Sequence, residues 1–373
     1  MAKILVSLLS AQTIPNVLFI NELPKMDKYI FISTEEMKKN NKFNMIINAC
    51  KIQQDIAVEK IVEEDNLDNI SKILSQITFQ DDDEIILNLT GGTKIMSIST
   101  YNFFKKMEAT IYYLPIGKNE YLKIFPSSKK KHYSLNYRIN VIDYLTAYGI
   151  EIKNKNTNKL FAPKEQTENI FKKYLNNEID PHTFSEIKQL RNNNRLKNGK
   201  TISVEESHKP YLKNLGFKNI VCWTKDLVDY LTGGWFEEYT YTLIKDYGKL
   251  DNNYIAINLN ITKNGAQNEL DVVFIYENAI YIIECKTSLK EGNEDFLNET
   301  LYKISALQKG FGLAVNSYLF TLDNKLRDDN GCLKDHIQKR VNLLGVKIID
   351  RTILKDGSKL NKELDNIFNR TKK

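Results

Sequence analysis

Patterns for metal binding and membrane insertion are scarce in this chain of 373 residues. Its four cysteines form no Cys-x-x-Cys pair and its four histidines are scattered, so neither residue type supports a structural zinc site. No apolar run approaches the roughly 18 residues of a membrane span, and the first residues show a strand pattern instead of a signal peptide. We therefore expect a cytoplasmic protein with reduced cysteines and no membrane partner.

The phosphate-binding loop of nucleotide hydrolases is missing as well. No Gly-x-x-x-x-Gly-Lys-Ser/Thr spacing occurs, and Lys94 of a Gly-Gly-Thr-Lys run is followed by Ile95. The net charge of +6 is compatible with a polyanionic partner. A length of 373 residues exceeds one ordinary core, which predicts two domains with a connector.

Strand-like and helix-like runs alternate over about the first 125 residues. A strand-like run from Ile4 to Leu9 precedes a helical one from Ile14 to Asn21, and a run from Glu84 to Leu89 precedes a long helical one. This alternation predicts an open parallel sheet with helices on both faces, a Rossmann-like α/β fold. Ligands of such sheets bind beyond the carboxyl ends of the strands, so the loops there are candidates for a binding site.

Two of these loops carry glycines and small polar residues. The first strand ends in the run from Ser10 to Asn16, and a central strand ends in the run from Asn88 to Lys94. Gly91 and Gly92 permit close approach of a ligand to the backbone, and the amides that open the following helix favour an anion. A plain helix N-cap after a glycine turn is the alternative interpretation.

The C-terminal half contains charges inside otherwise apolar strand sequence. Two adjacent strand-like runs, residues 270–276 and 279–286, include Asp271, Glu284 and Lys286. Charges in such positions are unfavourable unless something pairs with them. These three residues are therefore candidates for a catalytic or metal site.

The hairpin turn decides which of these charges face each other. A turn at residues 277–278 places Asp271 opposite Glu284, whereas a turn at residues 278–279 places it opposite Lys286. In both registers the strand period of two brings all three onto one face. Two acids this close repel each other unless a cation lies between them, and hard oxygen ligands suit magnesium or manganese better than zinc. A buried ion pair with Lys286 is the purely structural alternative.

Asp271, followed after about a dozen residues by Glu284-Cys285-Lys286, resembles the PD-(D/E)xK motif of restriction-endonuclease-like nucleases. The chain departs from that motif at Leu270, which stands in place of the proline. The resemblance implies that Asp271, Glu284 and the backbone carbonyl of Cys285 hold a divalent metal ion. It also implies that Lys286 positions the attacking water.

A further acid is expected from the helix that opens near Gly234. The run Gly234-Trp-Phe-Glu-Glu238 resembles the first-helix element from which nucleases of this superfamily often take another acid, so Glu237 or Glu238 is expected to complete the site. The helix dipole alone favours acids near a helix N-terminus, which is the alternative for either residue.

Together, the two halves of the chain resemble the CARF-domain ancillary nucleases of type III CRISPR defence. The resemblance is most specific in residues 89–94, 234–238 and 284–286. It implies a cyclic oligoadenylate activator, in the first place cyclic tetra-adenylate, and a homodimer, because two copies of one pocket hold a two-fold symmetric ring. The position-matched pocket candidates are Ser10, Gln12, Thr13, Asn16, Asn88, Thr90, Gly91, Gly92, Thr93 and Lys94.

We therefore expect a CARF sensor domain over residues 1–145, a helical connector with a helix-turn-helix-like pattern over 146–226, and a nuclease domain over 227–373. The expected function is a magnesium- or manganese-dependent nuclease, activated by cyclic tetra-adenylate, that cleaves single-stranded DNA and RNA because no base-reading element is evident. Alternatives are a ligand-responsive nucleic-acid-binding regulator and a ligand-independent repair or restriction nuclease, including one that nicks duplex DNA. A sensor domain that degrades its own ligand also stays open.

Overall fold

The computed structural model describes residues 1–154, 157–289 and 294–368. The strands are β1 (Lys3–Leu8), β2 (Lys28–Ser33), β3 (Ala57–Ile61), β4 (Glu84–Asn88), β5 (Thr110–Tyr113), β6 (Glu120–Phe125), β7 (His132–Ser134), β8 (Glu151–Ile152), β9 (Ile202–Ser203), β10 (Cys222–Trp223), β11 (Ile255–Lys263), β12 (Ala266–Tyr276), β13 (Ala279–Lys286), β14 (Val315–Thr321) and β15 (Val346–Ile349). The helices are α1 (Ile14–Glu22), α2 (Glu35–Lys39), α3 (Lys42–Ala49), α4 (Leu67–Ser75), α5 (Lys94–Lys106), α6 (Val141–Ala147), α7 (Lys164–Leu175), α8 (Pro181–Leu190), α9 (Asn194–Lys197), α10 (Lys209–Asn214), α11 (Lys225–Asp229), α12 (Trp235–Gly248), α13 (Glu294–Gln308), α14 (Asp335–Leu344), α15 (Arg351–Lys355) and α16 (Gly357–Ile367). Within these described residues, no helix is both long enough and apolar enough to cross a membrane.

The N-terminal sheet has the order β3-β2-β1-β4-β5-β6-β7. Its first five strands are parallel, which confirms the predicted open α/β sheet, and β6 and β7 extend it by antiparallel pairing. Because β1 and β4 are neighbours, with Ser7 paired to Asn88, their carboxyl ends lie side by side. The two predicted binding loops therefore meet at one edge of the sheet.

The C-terminal sheet has the order β15-β14-β13-β12-β11-β8, with β13, β14 and β15 parallel and the other neighbours antiparallel. Tyr276 pairs with Ala279, so the β12–β13 turn consists of Glu277 and Asn278, both with positive φ. Two such residues form the turn whose twist matches a hairpin. This confirms the register that places Asp271 opposite Glu284, and the alternative turn at residues 278–279 is wrong.

The segment predicted as a connector packs onto the C-terminal sheet. Its strand β8 pairs with β11 at the sheet edge, and side chains such as Ile170 and Trp223 share one hydrophobic core with Val272 and Phe274 of β12. The helices of this segment therefore cover one face of the C-terminal sheet. The predicted domain boundaries and the helix-turn-helix-like role stay predictions.

The opposite face of the C-terminal sheet packs against helices of the N-terminal domain. One continuous core joins Phe19 of α1 and Tyr144 of α6 to Val273 and Ile275 of β12. Within this core the Tyr144 hydroxyl donates to the Phe311 carbonyl, at 2.9 Å. The two domains thus share buried apolar surface, which couples the position of one sheet to the other.

Asn278 joins the hairpin turn to the N-terminal domain, and its removal is expected to destabilise both. Its Oδ1 accepts from Ile139 N at 2.9 Å, and its Nδ2 donates to Asn119 Oδ1 at 2.7 Å and to the Tyr137 carbonyl at 3.1 Å. We expect Asn278→Ala to lower the free energy of unfolding by about 2–4 kcal/mol, since one buried and two partly buried partners lose their hydrogen bonds.

Urea unfolding measures this loss. Asn264→Ala is the matched control, because Asn264 also has positive φ in a tight hairpin turn but is exposed. Equal losses in the two variants would mean that the backbone conformation, and not the hydrogen bonds to the N-terminal domain, accounts for the effect.

Candidate functional site

The acidic residues lie where the regular backbone pairing of β11, β12 and β13 is interrupted, at Asn258 and Asp271. Asn258 has a left-handed backbone (φ 50°), and Ile257 and Leu259 on its two sides enter different hydrophobic cores. Opposite it, Asp271 leaves the ladder, and its Oδ2 accepts a hydrogen bond from Cys285 N at 2.7 Å. A carboxylate thus replaces a backbone carbonyl as the acceptor, which holds this charge in a nearly buried position.

The three predicted metal ligands converge on one cation, the ammonium of Lys286. Its Nζ lies 2.6 Å from Glu284 Oε1, 3.2 Å from the Cys285 carbonyl oxygen and 3.7 Å from Asp271 Oδ2. The structure therefore brings Asp271, Glu284, Cys285 and Lys286 together as the sequence predicted. Their oxygen atoms surround a position that accommodates positive charge.

A second lysine, which sequence reasoning missed, completes the cluster. Lys303 of α13 places its Nζ 2.9 Å from the same Glu284 Oε1. A lysine on an amphipathic helix carries no pattern that separates it from a solvent-facing one, and it lies far along the chain from the Glu-Cys-Lys run. Only the packing of α13 beside β14 directs it to the acids.

The adjacent acids at the start of α12 have different environments. Glu238 accepts hydrogen bonds from the backbone amides of Phe161 and Ala162, so it fixes the segment that precedes α7. Glu237 instead lies near the cluster, where burial and the Asp271 carboxylate raise its pKa to about 8. Glu237 therefore interacts electrostatically with the predicted site, whereas the carboxylate of Glu238 is engaged by backbone amides.

The pKa shifts describe an excess of buried negative charge. Burial and the neighbouring Glu284 raise the pKa of Asp271 to about 6, although Lys286 opposes the shift. Burial also acts to raise the pKa of Glu284, but the ammonium groups of Lys286 and Lys303 outweigh it and hold this pKa below its usual value. A further cation at this position would relieve the repulsion among the acids.

The donor set fits a hard divalent ion. Two carboxylates and a backbone carbonyl are oxygen ligands, which suit magnesium or manganese. In the conformation described, no three His, Cys, Asp or Glu side chains within residues 1–154, 157–289 and 294–368 are close enough to enclose an ion. Asp271, Glu284 and the Cys285 carbonyl would hold the ion, and an ion bound to Glu284 would compete with the ammonium groups of Lys286 and Lys303 for that carboxylate.

Four of the predicted nucleotide-binding residues are buried under the loops of the N-terminal domain. The hydroxyl of Thr13 donates to the Ala147 carbonyl at 2.5 Å. Asn88 Nδ2 donates to Asn16 Oδ1 at 2.8 Å, and Thr90 Oγ1 accepts from Leu114 N at 2.7 Å. These side chains hold the loops in place, so the structure places them beneath the candidate pocket and not on its surface.

The accessible candidates line the edge formed by the two loops. Ser10, Gln12, Thr93 and Lys94 are at least partly exposed. Gly91 has a φ of 109°, and a Cβ there would lie 2.9 Å from the Leu8 carbonyl oxygen. With partly exposed Gly92 beside it, the backbone itself forms part of the surface that a ligand would contact.

Gln12 also contacts the C-terminal domain. Its Oε1 accepts hydrogen bonds from the Tyr148 hydroxyl at 3.0 Å and from Leu313 N at 3.2 Å. Gly312 permits this contact, because a Cβ at that position would collide with the Tyr148 hydroxyl. The loop that contains Gly312 and Leu313 joins α13 to β14, so one residue of the candidate pocket touches the segment between two elements of the acidic site.

The raised pKa of Glu237 predicts a pH dependence of stability. Between its ordinary pKa and about 8, Glu237 is protonated in the folded protein and ionised in the unfolded one, so stability falls as pH rises through this range. In metal-chelated protein, we expect Glu237→Gln to raise the free energy of unfolding by about 2–4 kcal/mol more at pH 9 than at pH 5.

Urea unfolding of both proteins across this pH range measures the difference. The exposed Glu165 of α7, which does not act on the pKa of Glu237, provides the control variant Glu165→Gln. Parallel pH profiles for wild type and Glu237→Gln would show that Glu237 does not have the buried, acid-rich environment described above.

Two family models cover most of the chain. Residues 4–144 match the Card1 CARF domain, and residues 224–367 match the Card1-like endonuclease domain. No curated protein has a sequence that matches this chain.

Solved structures share the fold over nearly the full length. Can2 from Sulfobacillus thermosulfidooxidans, in complex with cyclic tetra-adenylate, has 23% sequence identity and a TM-score of 0.73, over 97% of this chain and 99% of that chain. Protein VC1899 from Vibrio cholerae has 17% identity and a TM-score of 0.76, over 98% of each chain. A Card1-type CARF domain is followed by a Card1-like endonuclease domain, so the chain belongs to the CARF-domain ancillary nucleases.

Proposed function

We propose that this protein is a divalent-metal-dependent nuclease of type III CRISPR defence, that cyclic tetra-adenylate activates it, and that it cleaves single-stranded DNA and RNA. The observation that carries the proposal is the convergence of Asp271, Glu284 and the Cys285 carbonyl on one cation, the ammonium of Lys286. A structural ion pair does not account for it well, because a third acid, Glu237, lies close enough for the Asp271 carboxylate to raise its pKa.

The residues of the cluster divide the chemistry of phosphodiester hydrolysis among them. A bound magnesium or manganese ion supplies polarisation of the scissile phosphate and lowers the pKa of bound water. Asp271, Glu284 and the Cys285 carbonyl would hold the ion, and Glu237 would add a further carboxylate nearby. Lys286 orients the attacking water and balances the negative charge that develops at phosphorus.

The substrate class follows from the chemistry of the backbone. The cluster addresses a phosphodiester, which DNA and RNA share, and no base-reading element was evident in the sequence. We therefore propose that single strands of both kinds are cleaved with little sequence preference.

The accessible residues at the edge of the N-terminal sheet support a cyclic oligoadenylate activator. The backbone at Gly91 and Gly92 and the start of α5 form a surface for phosphate and adenine groups, and Lys94 adds a positive charge. The solved structure of Can2 contains cyclic tetra-adenylate, which favours that ring size. A two-fold symmetric ring is held by two copies of the pocket, so the active form is a homodimer.

The contacts of Gln12 provide a route for activation. A ligand that engages Gln12 competes with its hydrogen bonds to Tyr148 and Leu313, and so acts on the loop between α13 and β14. Strand β14 pairs with β13, where Leu319 lies beside Glu284. For a sharp switch, the ligand must bind the active arrangement about 3–5 kcal/mol more tightly than the inactive one.

Cleavage assays test the nuclease and its activation together. With labelled single-stranded DNA and RNA, we expect wild-type protein to cleave when both Mn²⁺ and cyclic tetra-adenylate are present. Glu284→Ala should lower the rate about 10²-fold or more, since the acid that holds the cluster is gone. Glu165→Ala, at an exposed position of α7, is the control.

Each of the other outcomes would indicate a different function for this protein. Equal cleavage without the cyclic nucleotide would indicate a ligand-independent nuclease. Ligand-dependent binding of nucleic acid without cleavage would indicate a regulator. Loss of the ligand that persists in Glu284→Ala would show that the N-terminal domain degrades its own activator.

The role of Lys94 in the pocket can be tested separately. We expect Lys94→Ala to raise the cyclic tetra-adenylate concentration for half-maximal activation about 10-fold, without changing the maximal rate, because the charge contacts only the ligand. Lys106→Ala, at the opposite end of α5, is the matched control. An unchanged activation curve for Lys94→Ala would exclude Lys94 from the pocket.

A further inference from the structure

Lys303 reaches the acidic cluster from outside the β12–β13 hairpin. Its ammonium and that of Lys286 contact the same oxygen, Glu284 Oε1, at 2.9 and 2.6 Å. The side chain of Lys303 is 43% exposed, that of Lys286 is 28% exposed, and that of Glu284 is 3% exposed. Lys303 therefore closes the cluster on the side that faces solvent, from which a nucleic-acid strand would approach.

The two lysines are held differently. Lys286 contacts Glu284 and the Cys285 carbonyl and lies 3.7 Å from Asp271, within its own strand and the neighbouring one. Lys303 comes from α13 and reaches the cluster through Glu284. A divalent ion held by Glu284 would compete with both ammonium groups, and Lys303 is the one with an exposed path away from the carboxylate.

Charge balance indicates where the Lys303 ammonium is needed. A bound divalent ion would favour the ionised forms of Glu237, Asp271 and Glu284, and these three charges with the two lysines sum to one formal negative charge before the ion is counted. A divalent ion changes this to one positive charge, which matches the single negative charge of a phosphodiester. Without Lys303 the metal-loaded cluster would be formally neutral, and the phosphate would enter a largely buried site without a compensating charge.

We propose that Lys303 is a phosphate-binding residue of the nuclease site. It pairs with Glu284 until a divalent ion takes that carboxylate, and its ammonium then binds a non-bridging oxygen of the scissile phosphate. The inference rests on the proposed nuclease function and adds a substrate contact to it.

Two measurements on Lys303→Ala test this exchange. Calorimetric titration with Mn²⁺, without nucleic acid, should show about 3- to 10-fold tighter metal binding than in wild type, because a competing cation has been removed. In cleavage assays at saturating Mn²⁺ and activator, kcat/KM should fall about 10²-fold.

Two further variants separate this role from a structural one. Lys303→Arg keeps the charge and should recover most of kcat/KM. Lys339→Ala, in an exposed ion pair with Asp335 on α14, should match wild type in both assays.

The proposal is wrong if Lys303→Ala cleaves like wild type at saturating metal. It is also wrong if Mn²⁺ binding weakens together with the melting temperature, because Lys303 would then only support the fold. If wild type itself cleaves nothing, the proposed function fails, and the metal titration still decides whether Lys303 competes for Glu284.

Discussion

The pairing of a buried carboxylate is the interaction on which the C-terminal domain depends. Glu284 is 2% exposed, and leaving such a charge unpaired would cost about 3–5 kcal/mol. Its partners come from two places in the chain, Lys286 on the same strand and Lys303 on α13. The hairpin register, the parallel pairing of β13 with β14 and the packing of α13 are all needed to bring these charges together. The same acids that need the lysines for stability also attract other cations. The stability of the domain and its capacity to bind a metal ion therefore depend on the same carboxylates.

The two adjacent acids of α12 have different partners. Glu238 anchors the amides of Phe161 and Ala162, so the segment before α7 is tied to the helix that carries Glu237. The helical cover of the C-terminal sheet is therefore attached to the candidate site directly, through a neighbouring residue. Movement of these covering helices would shift α12 through Glu238 and so change the position of Glu237.

The two domains are joined by a shared apolar core and by polar contacts at its border. The core between α1, α6 and β12 makes independent motion of the two sheets unfavourable. The contact of Gln12 with Leu313 lies at the edge of this core, where a pocket loop meets the loop between α13 and β14. A change at this border can therefore reach Lys303 and β13 through short, packed elements, without unfolding of either domain.

The sequence by itself determined the parallel N-terminal sheet, the two loops at its edge and the charged hairpin, because these follow from local periodicity and turn chemistry. It also determined that Asp271, Glu284 and Lys286 share a face, since both candidate registers place them there. Only the tertiary structure decided the rest: which register forms, that Glu237 and not Glu238 interacts with the acids, that Thr13 lies beneath its loop, and that Lys303 joins the cluster. These outcomes depend on how helices and loops pack onto the sheets, and a contact between residues distant in the chain leaves no periodic pattern in the sequence.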